Sequence, residues 1–229
     1  MISVRDNLLR IRERIERGAA RAGRRGEDVT LVAVCKGVPS SLIREALEAG
    51  VCHLGENRVQ DALARYREIG AGPYWHLVGH LQSNKVKYVI GLFHLIHSLD
   101  RLSLAGEIQR RAEKAGLTVR CLVQVNVSGE TTKHGVAPRD LTAFLESVGA
   151  FSRLRVEGLM TIAPLVRDAE EARPFFRRLR ELAEEAAALR LPGVEMNYLS
   201  MGMTDDFEVA VEEGANMVRI GRGLFGPLG

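Results

Sequence analysis

The chain has 229 residues, of which 46% are hydrophobic and 27% charged, with a formal net charge of +3. That composition gives a globular protein enough apolar material for a core, and its dispersed basic residues exclude a nucleic-acid footprint or a polybasic membrane anchor. Cys35, Cys52 and Cys121 show no Cys-x-x-Cys spacing, no stretch approaches a membrane span, and the arginine-rich amphipathic N-terminus lacks an apolar segment with a cleavage site; a reducing, cytoplasmic setting without a disulfide framework is expected.

Val4, Leu8, Ile11 and Ile15 recur every three to four residues, which predicts an amphipathic helix over residues 4–21. A link at residues 23–28 leads to Thr30–Gly37, a β-branched and aliphatic run that ends in a single lysine. As a strand, this run places Val32, Val34 and Lys36 on one face and Leu31, Ala33 and Cys35 on the other. An ammonium at the end of a buried face is costly unless it is paired or used, and desolvation makes its amine a nucleophile.

Strands are predicted at 29–36, 52–56, 75–79, 94–98, 118–126, 155–161, 195–200 and 216–220, with helices at 40–49, 57–69, 83–91, 101–115, 138–149, 174–190 and 205–213 between them. Ser40 and Asp205 are placed to cap helices, Pro138 and Pro174 fall near helix starts, and Gly50, Gly116 and Gly214 follow helix ends. No linker, repeat or low-complexity tract divides the chain, so residues 1–229 are expected to form one domain. Alternating strands and helices imply a parallel sheet. Periodicity alone leaves a doubly wound open sheet possible. The strand count favours a single (β/α)8 TIM-type barrel with an additional N-terminal helix.

In such a barrel the chemistry lies at the C-terminal ends of the strands. Lys36, Asn57, His80, Met160, the run Ser200–Thr204 and Arg219–Gly221 gather there. Ser200, Gly202 and Thr204 precede a helix N-terminus, and Gly221 and Gly223 allow close backbone approach, which together suit a phosphate. The residues Gly221–Gly226 match G-x-G-x-x-G, but no helix and second strand follow to complete a dinucleotide unit. Metal binding is not predicted: His76 and His80, on one strand, stand about 13 Å apart, and His94 and His97 face opposite ways on a regular strand. A lysine, a phosphate cradle and Arg219 together suggest an aldehyde phosphate, with Lys36 as the amine of a Schiff base.

Val-Ala-Val-Cys-Lys-Gly at 32–37, Gly-Glu-Asn-Arg-Val-Gln at 55–60 and Trp-His-Leu-Val-Gly-His-Leu-Gln-Ser-Asn-Lys at 75–85 closely resemble the pyridoxal phosphate homeostasis proteins. So do Gly-Leu-Met-Thr-Ile at 158–162, Leu-Ser-Met-Gly-Met-Thr-Asp-Asp at 199–206 and Val-Arg-Ile-Gly-Arg-Gly-Leu-Phe-Gly at 218–226. The resemblance spans nearly the whole chain and implies a barrel like the N-terminal domain of alanine racemase, binding pyridoxal 5′-phosphate (PLP). It implies Lys36 as the Schiff-base lysine, Ser200, Gly202, Thr204 and the backbone of Arg219, Ile220 and Gly221 around the phosphate, and Asn57 beside the ring. Met160 and His80 would line the pocket, and Lys133 resembles a second lysine used in PLP transfer. The chain departs from the family at Cys35-Lys36-Gly37, where Ser-Lys-Thr is frequent, and at Val38, where a further lysine is common.

An arginine against the pyridine nitrogen donates a hydrogen bond without giving up its proton, so the ring stays a weak electron sink. With the chain ending at Gly229 and no second domain, a two-base racemase lacks a part. The expected function is a non-enzymatic carrier or buffer of intracellular PLP, acting as a monomer on PLP and on PLP-dependent apoenzymes; the alternative is a PLP-dependent amino-acid racemase.

Overall fold

The structure is a computed structural model that describes residues 3–130 and 132–226. The first helix, α1 (Val4–Arg21), is capped by Ser3, whose side chain accepts from the Asp6 N–H, and it buries Val4, Leu8, Ile11 and Ile15 as the periodicity predicts. It lies against the helices that open and close the barrel rather than within the repeating pattern.

Eight parallel strands follow in sequence order and close on themselves. They are β1 (Thr30–Val34), β2 (His53–Glu56), β3 (Tyr74–Leu77), β4 (Leu95–Leu99), β5 (Val119–Gln124), β6 (Leu154–Met160), β7 (Val194–Ser200) and β8 (Met217–Ile220). The crossovers carry α2 (Ser40–Glu48), α3 (Val59–Ile69), α4 (Leu102–Ala115), α5 (Leu141–Gly149), α6 (Arg173–Ala188) and α7 (Phe207–Glu212), and α8 (Arg222–Phe225) follows β8. Closure is made by β1 against β8, with Val32 beside Arg219 and Ala33 beside Ile220. The barrel, rather than the open sheet, is the fold.

Alternation sorts the strand residues into two cores. Val32, Val78, Leu95, Leu122, Met160 and Met217 fill the barrel interior, with Val34 and Tyr198 packed against them. Ala33, Cys35, Leu54, Trp75, Leu77, Val218 and Ile220 face the helices in the larger outer core. The two faces read from residues 31–35 are therefore the two faces observed.

Four local expectations change. The segment expected as a helix at 83–91 is a 3-10 helix, Ser83–Tyr88. Its fully buried apolar residues, Val86 and Val89, stand three apart, a spacing that the 3-10 helix and the α-helix share. Pro39, not Ser40, is the N-cap of α2, and the Ser40 hydroxyl instead donates to Glu68 on α3. Asp206, not Asp205, is the N-cap residue of α7, without a side-chain bond to the helix; its Oδ1 accepts the Met203 N–H of the preceding loop at 2.6 Å, while Asp205 pairs with Arg222 at 2.6 Å. The helix expected at 138–149 begins as a short 3-10 turn, Pro138–Asp140, before α5.

Candidate functional site at the C-terminal mouth of the barrel

The strand ends converge as the topology requires, but the sequence-predicted residues play different parts. β1 stops at Val34, and Lys36 stands on an exposed turn just beyond it. This corrects the expectation of a lysine sequestered on a buried strand face: the last inward residue is Val34, and the chain has already left the sheet at Lys36. A Cβ added at Gly221 would come within 3.4 Å of the Val34 carbonyl, so the ends of β1 and β8 lie in near contact and Lys36 shares one side of the mouth with Gly221.

Arg219 points into the barrel from β8 and is only 5% exposed. Its Nη1 donates to Ser200 Oγ at 2.6 Å and its Nη2 to the Thr161 carbonyl at 2.8 Å. Among the described residues it forms no ion pair. Burial pulls its pKa down to about 10, against the field of Asp206, and it therefore stays a cation at neutral pH. A buried guanidinium held by a hydroxyl and a carbonyl keeps several N–H groups for a ligand.

Ser200 is fully buried, and its hydroxyl also meets His97 Nδ1 at 3.0 Å. It braces Arg219 from below instead of facing the open mouth. Met160 is likewise fully buried in the inner core, forming part of the floor. Ile220 faces outward into the helix layer, so only its backbone belongs to the mouth. Thr204 accepts the Gly223 N–H on Oγ1 at 3.1 Å, tying the loop after β7 to α8 while its O–H remains free to donate. Gly202 has φ +90°, and a Cβ there would lie 2.6 Å from the Ala210 Cβ and 2.9 Å from the Phe207 Cα. Only glycine lets this loop lie flat on the first turn of α7.

Asn57 follows β2 on a half-buried bend. Its backbone is pressed from the β3 side: a Cβ at Gly79 would fall 2.2 Å from the Asn57 carbonyl oxygen. Behind it, Glu56 is fully buried, with Oε1 accepting from Arg65 Nε at 2.9 Å and Oε2 without a partner. Burial raises the Glu56 pKa in spite of Arg65. Arg65 Nη2 also approaches the Cys35 carbonyl at 3.5 Å, next to Lys36. This pair joins α3 to the turns that carry Asn57 and Lys36, and sequence reading missed it because Arg65 looks like one more surface charge on an amphipathic helix.

His80 belongs to a different part of the rim. Its Nδ1 lies 3.3 Å from Asp100 Oδ2, and its ring stacks on His134 at 3.9 Å between centroids. One ligand atom each from His80, Asp100 and His134 falls within 4.8 Å of the others, a grouping that spacing within one strand could not reveal. Lys133 pairs with Glu130 at 2.7 Å and borders a cavity of about 490 Å³ shared with Ile162, Leu165, Met203 and Asp206. It therefore overlooks the loops after β6 and β7.

A closed barrel with a lysine after its first strand, a buried arginine in its last and a glycine-dependent loop between them defines an α/β barrel of the alanine racemase N-terminal type. The family model described as "Alanine racemase, N-terminal domain" matches residues 7–228. A relative from Aquifex aeolicus (strain VF5), named pyridoxal phosphate homeostasis protein, is 47% identical over 222 residues, covering 96% of each chain. PipY of Synechococcus elongatus PCC7942, in a structure described as having PLP bound, is 35% identical with a TM-score of 0.85, covering 98% of this chain and all of that one. The chain belongs to the pyridoxal phosphate homeostasis family, within the alanine racemase N-terminal domain superfold. Alanine racemase of Clostridium difficile 630 shares the fold alone, with 15% identity and a TM-score of 0.76, and this chain covers 56% of it. No helix of the described residues is long and apolar enough to cross a membrane.

Proposed function

We propose that the protein binds PLP at the C-terminal mouth of the barrel, holds it as a Schiff base on Lys36, and serves the intracellular PLP pool as a carrier or buffer rather than as a catalyst. The observation that carries this reading is Arg219: a buried cation whose hydrogen-bond partners, Ser200 and Thr161, are neutral and lie at the C-terminal ends of β7 and β6. The names of the relatives and the PLP-bound structure of PipY support it.

The donor set fits the ligand. An exposed amine at Lys36 is free to add to the aldehyde carbon, whose oxygen leaves as water while a C=N bond forms. When bound, PLP supplies that aldehyde and a ring that withdraws electrons strongly only if its nitrogen is protonated. Arg219 donates to a ring nitrogen but does not surrender its proton, and so leaves the ring a poor electron sink. The loop at Gly202, with the free O–H of Thr204 and the backbone of Gly221, forms the phosphate side, where a side chain at Gly202 would have nowhere to go. Ser200 contributes by fixing Arg219, and Met160 by forming the floor. Asn57 borders the ring, while His80 and Lys133 stand on the outer rim, on the route to a recipient apoenzyme.

Purified protein and Lys36→Ala with PLP give the test. The wild type should develop the visible absorbance of a Schiff base, which borohydride abolishes and which the variant lacks. The same sample given D- or L-alanine should show no sustained turnover; continued racemisation would overturn the carrier reading in favour of a racemase. Absence of a chromophore from both proteins would refute PLP binding altogether.

A further inference from the structure

Three histidines form a file through the barrel from one mouth to the other. His53, at the start of β2, lines a cavity of about 500 Å³ at the N-terminal mouth together with Arg12, Glu16 and Glu27. His53 Nδ1 lies 2.9 Å from His76 Nε2, and His76 Nδ1 lies 2.9 Å from His97 Nε2. His97 Nδ1 then meets Ser200 Oγ at 3.0 Å, and Arg219 Nη1 meets the same oxygen at 2.6 Å. His76, His97 and Ser200 are buried, and His53 is half-buried.

Arg219 sets the direction of the file. A guanidinium only donates, so Ser200 Oγ accepts from it; among the described residues His97 Nδ1 is the one acceptor within reach of the buried Ser200 hydrogen, so the arrangement that satisfies that hydrogen has Ser200 donating to His97 Nδ1. A neutral imidazole carries one N–H, so His97 Nε2–H donates to His76 Nδ1, and His76 Nε2–H donates to His53 Nδ1. The network thus assigns all three rings the same tautomer, with their acceptor ends toward the cation. Burial, reinforced by neighbouring cationic groups, pushes His76 and His97 well below the usual imidazole range and keeps them neutral.

A proton on His53 is incompatible with that direction. An imidazolium donates from both nitrogens, so His76 Nε2 must then accept. Each hydrogen moves one place toward His53: Ser200 gives its proton to His97 Nδ1, His97 Nε2 to His76 Nδ1, and His76 Nε2 to His53 Nδ1. One proton is taken up from solvent in all: the file ends with a proton more, and Ser200, again a hydroxyl, accepts from both His97 Nδ1 and Arg219 Nη1. The N–H ends of the file now face Ser200 and Arg219, which makes the potential at the C-terminal mouth more positive and favours an anion there.

We propose that the His53–His76–His97 file couples an anionic ligand at the C-terminal mouth to a proton on His53 at the opposite mouth, with these histidines acting as positioning residues through Ser200 and Arg219. Only the identity of the ligand, PLP, rests on the function proposed above. Reciprocity requires that the ligand raise the proton affinity of His53 as much as the proton raises the affinity of the ligand. The groups that face His53 are the stacked Tyr74 ring at 4.9 Å, His76, and His94, which Arg120 binds at 2.6 Å while pairing with Glu157. Across the cavity stand Arg12, Glu16 and Glu27. Burial first, and then the charge of His94, lowers the pKa of His53, so its titration falls below that of an ordinary histidine.

Protein labelled with 15N-histidine, titrated from about pH 8 to about pH 5 with and without PLP, reads the coupling directly. At high pH the His76 and His97 protons should reside on Nε2; on acidification they should move to Nδ1 together, in step with His53. PLP should move the midpoint of the His53 titration upward, and a rise of about one pH unit should accompany about a tenfold difference in PLP affinity between its protonation states. His76→Phe keeps a ring of similar size and should still bind PLP, but with no displacement of the His53 midpoint. His53→Phe should remove the pH step from His76 and His97. If PLP binds and the His53 midpoint stays in place, or if it still moves in His76→Phe, the coupling is refuted. If PLP does not bind, the ligand assignment fails by itself. The file is then judged on the tautomers alone: concerted exchange supports it, and independent or opposite tautomers overturn it.

Discussion

Arg65→Met tests the buried pair behind Lys36 and Asn57. Glu56 is fully buried, its Oε1 depends on Arg65 Nε, and its Oε2 has no partner. Removing the arginine leaves a carboxylate with nothing to offset its lost hydration, and breaking such a pair costs about 3–5 kcal/mol. For a chain of this length that corresponds to a fall in Tm of about 6–20 °C. The cost must depend on pH. With its folded pKa raised, Glu56 binds more protons in the folded than in the unfolded state above the unfolded carboxylate value, so stability falls as pH rises through that window. Thermal and urea unfolding followed by circular dichroism should therefore show a larger deficit at pH 7.5 than near pH 5. Glu56→Gln combined with Arg65→Met should recover most of the loss, because the amide is cheaper to bury than the uncompensated charge. Equal losses for the single and double variants, or a deficit independent of pH, would refute this account of the pair.

Gly202→Ala should lose about 2–5 kcal/mol, from a strained φ and an overpacked contact with Ala210, and should weaken PLP binding; the urea midpoint and a PLP titration measure the two effects. Ser200→Ala should cost about 1–3 kcal/mol, since it strands His97 Nδ1 and removes a bond from Arg219, and calorimetric unfolding reads it. Because burial depresses His76 and His97, the unfolded chain binds more protons than the folded one below the ordinary histidine range of about pH 6.5. Stability should therefore fall as pH drops below that point and the slope should flatten in His76→Phe; a wild-type urea midpoint constant from neutral pH into that acid range would contradict the burial argument.

The order and number of the strands, the inward and outward faces of β1 and the gathering of polar residues at strand ends were legible in the chain itself, whereas the short α8 (Arg222–Phe225) was not. They follow from periodicity and from local punctuation, which neighbouring residues set. Local terms also explain the misreadings: Lys36 lies two residues beyond the last ladder residue, and the segment after β3 spaces its buried residues by three, which a 3-10 helix and an α-helix share. Ser200 shows the limit most clearly. As a polar residue at a strand end it reads as a ligand contact, yet barrel closure turns its hydroxyl between His97 on β4 and Arg219 on β8.

A (β/α)8 chain, its family and the candidate lysine and arginine can all be read from the residues in order, because they rest on strand alternation and contiguous motifs. Closure, the bracing of Arg219, the Glu56–Arg65 pair and the histidine file exist only once the chain has folded. His53, His76, His97 and Ser200 come from four different strands, and only the stagger of a closed barrel brings their polar atoms into line.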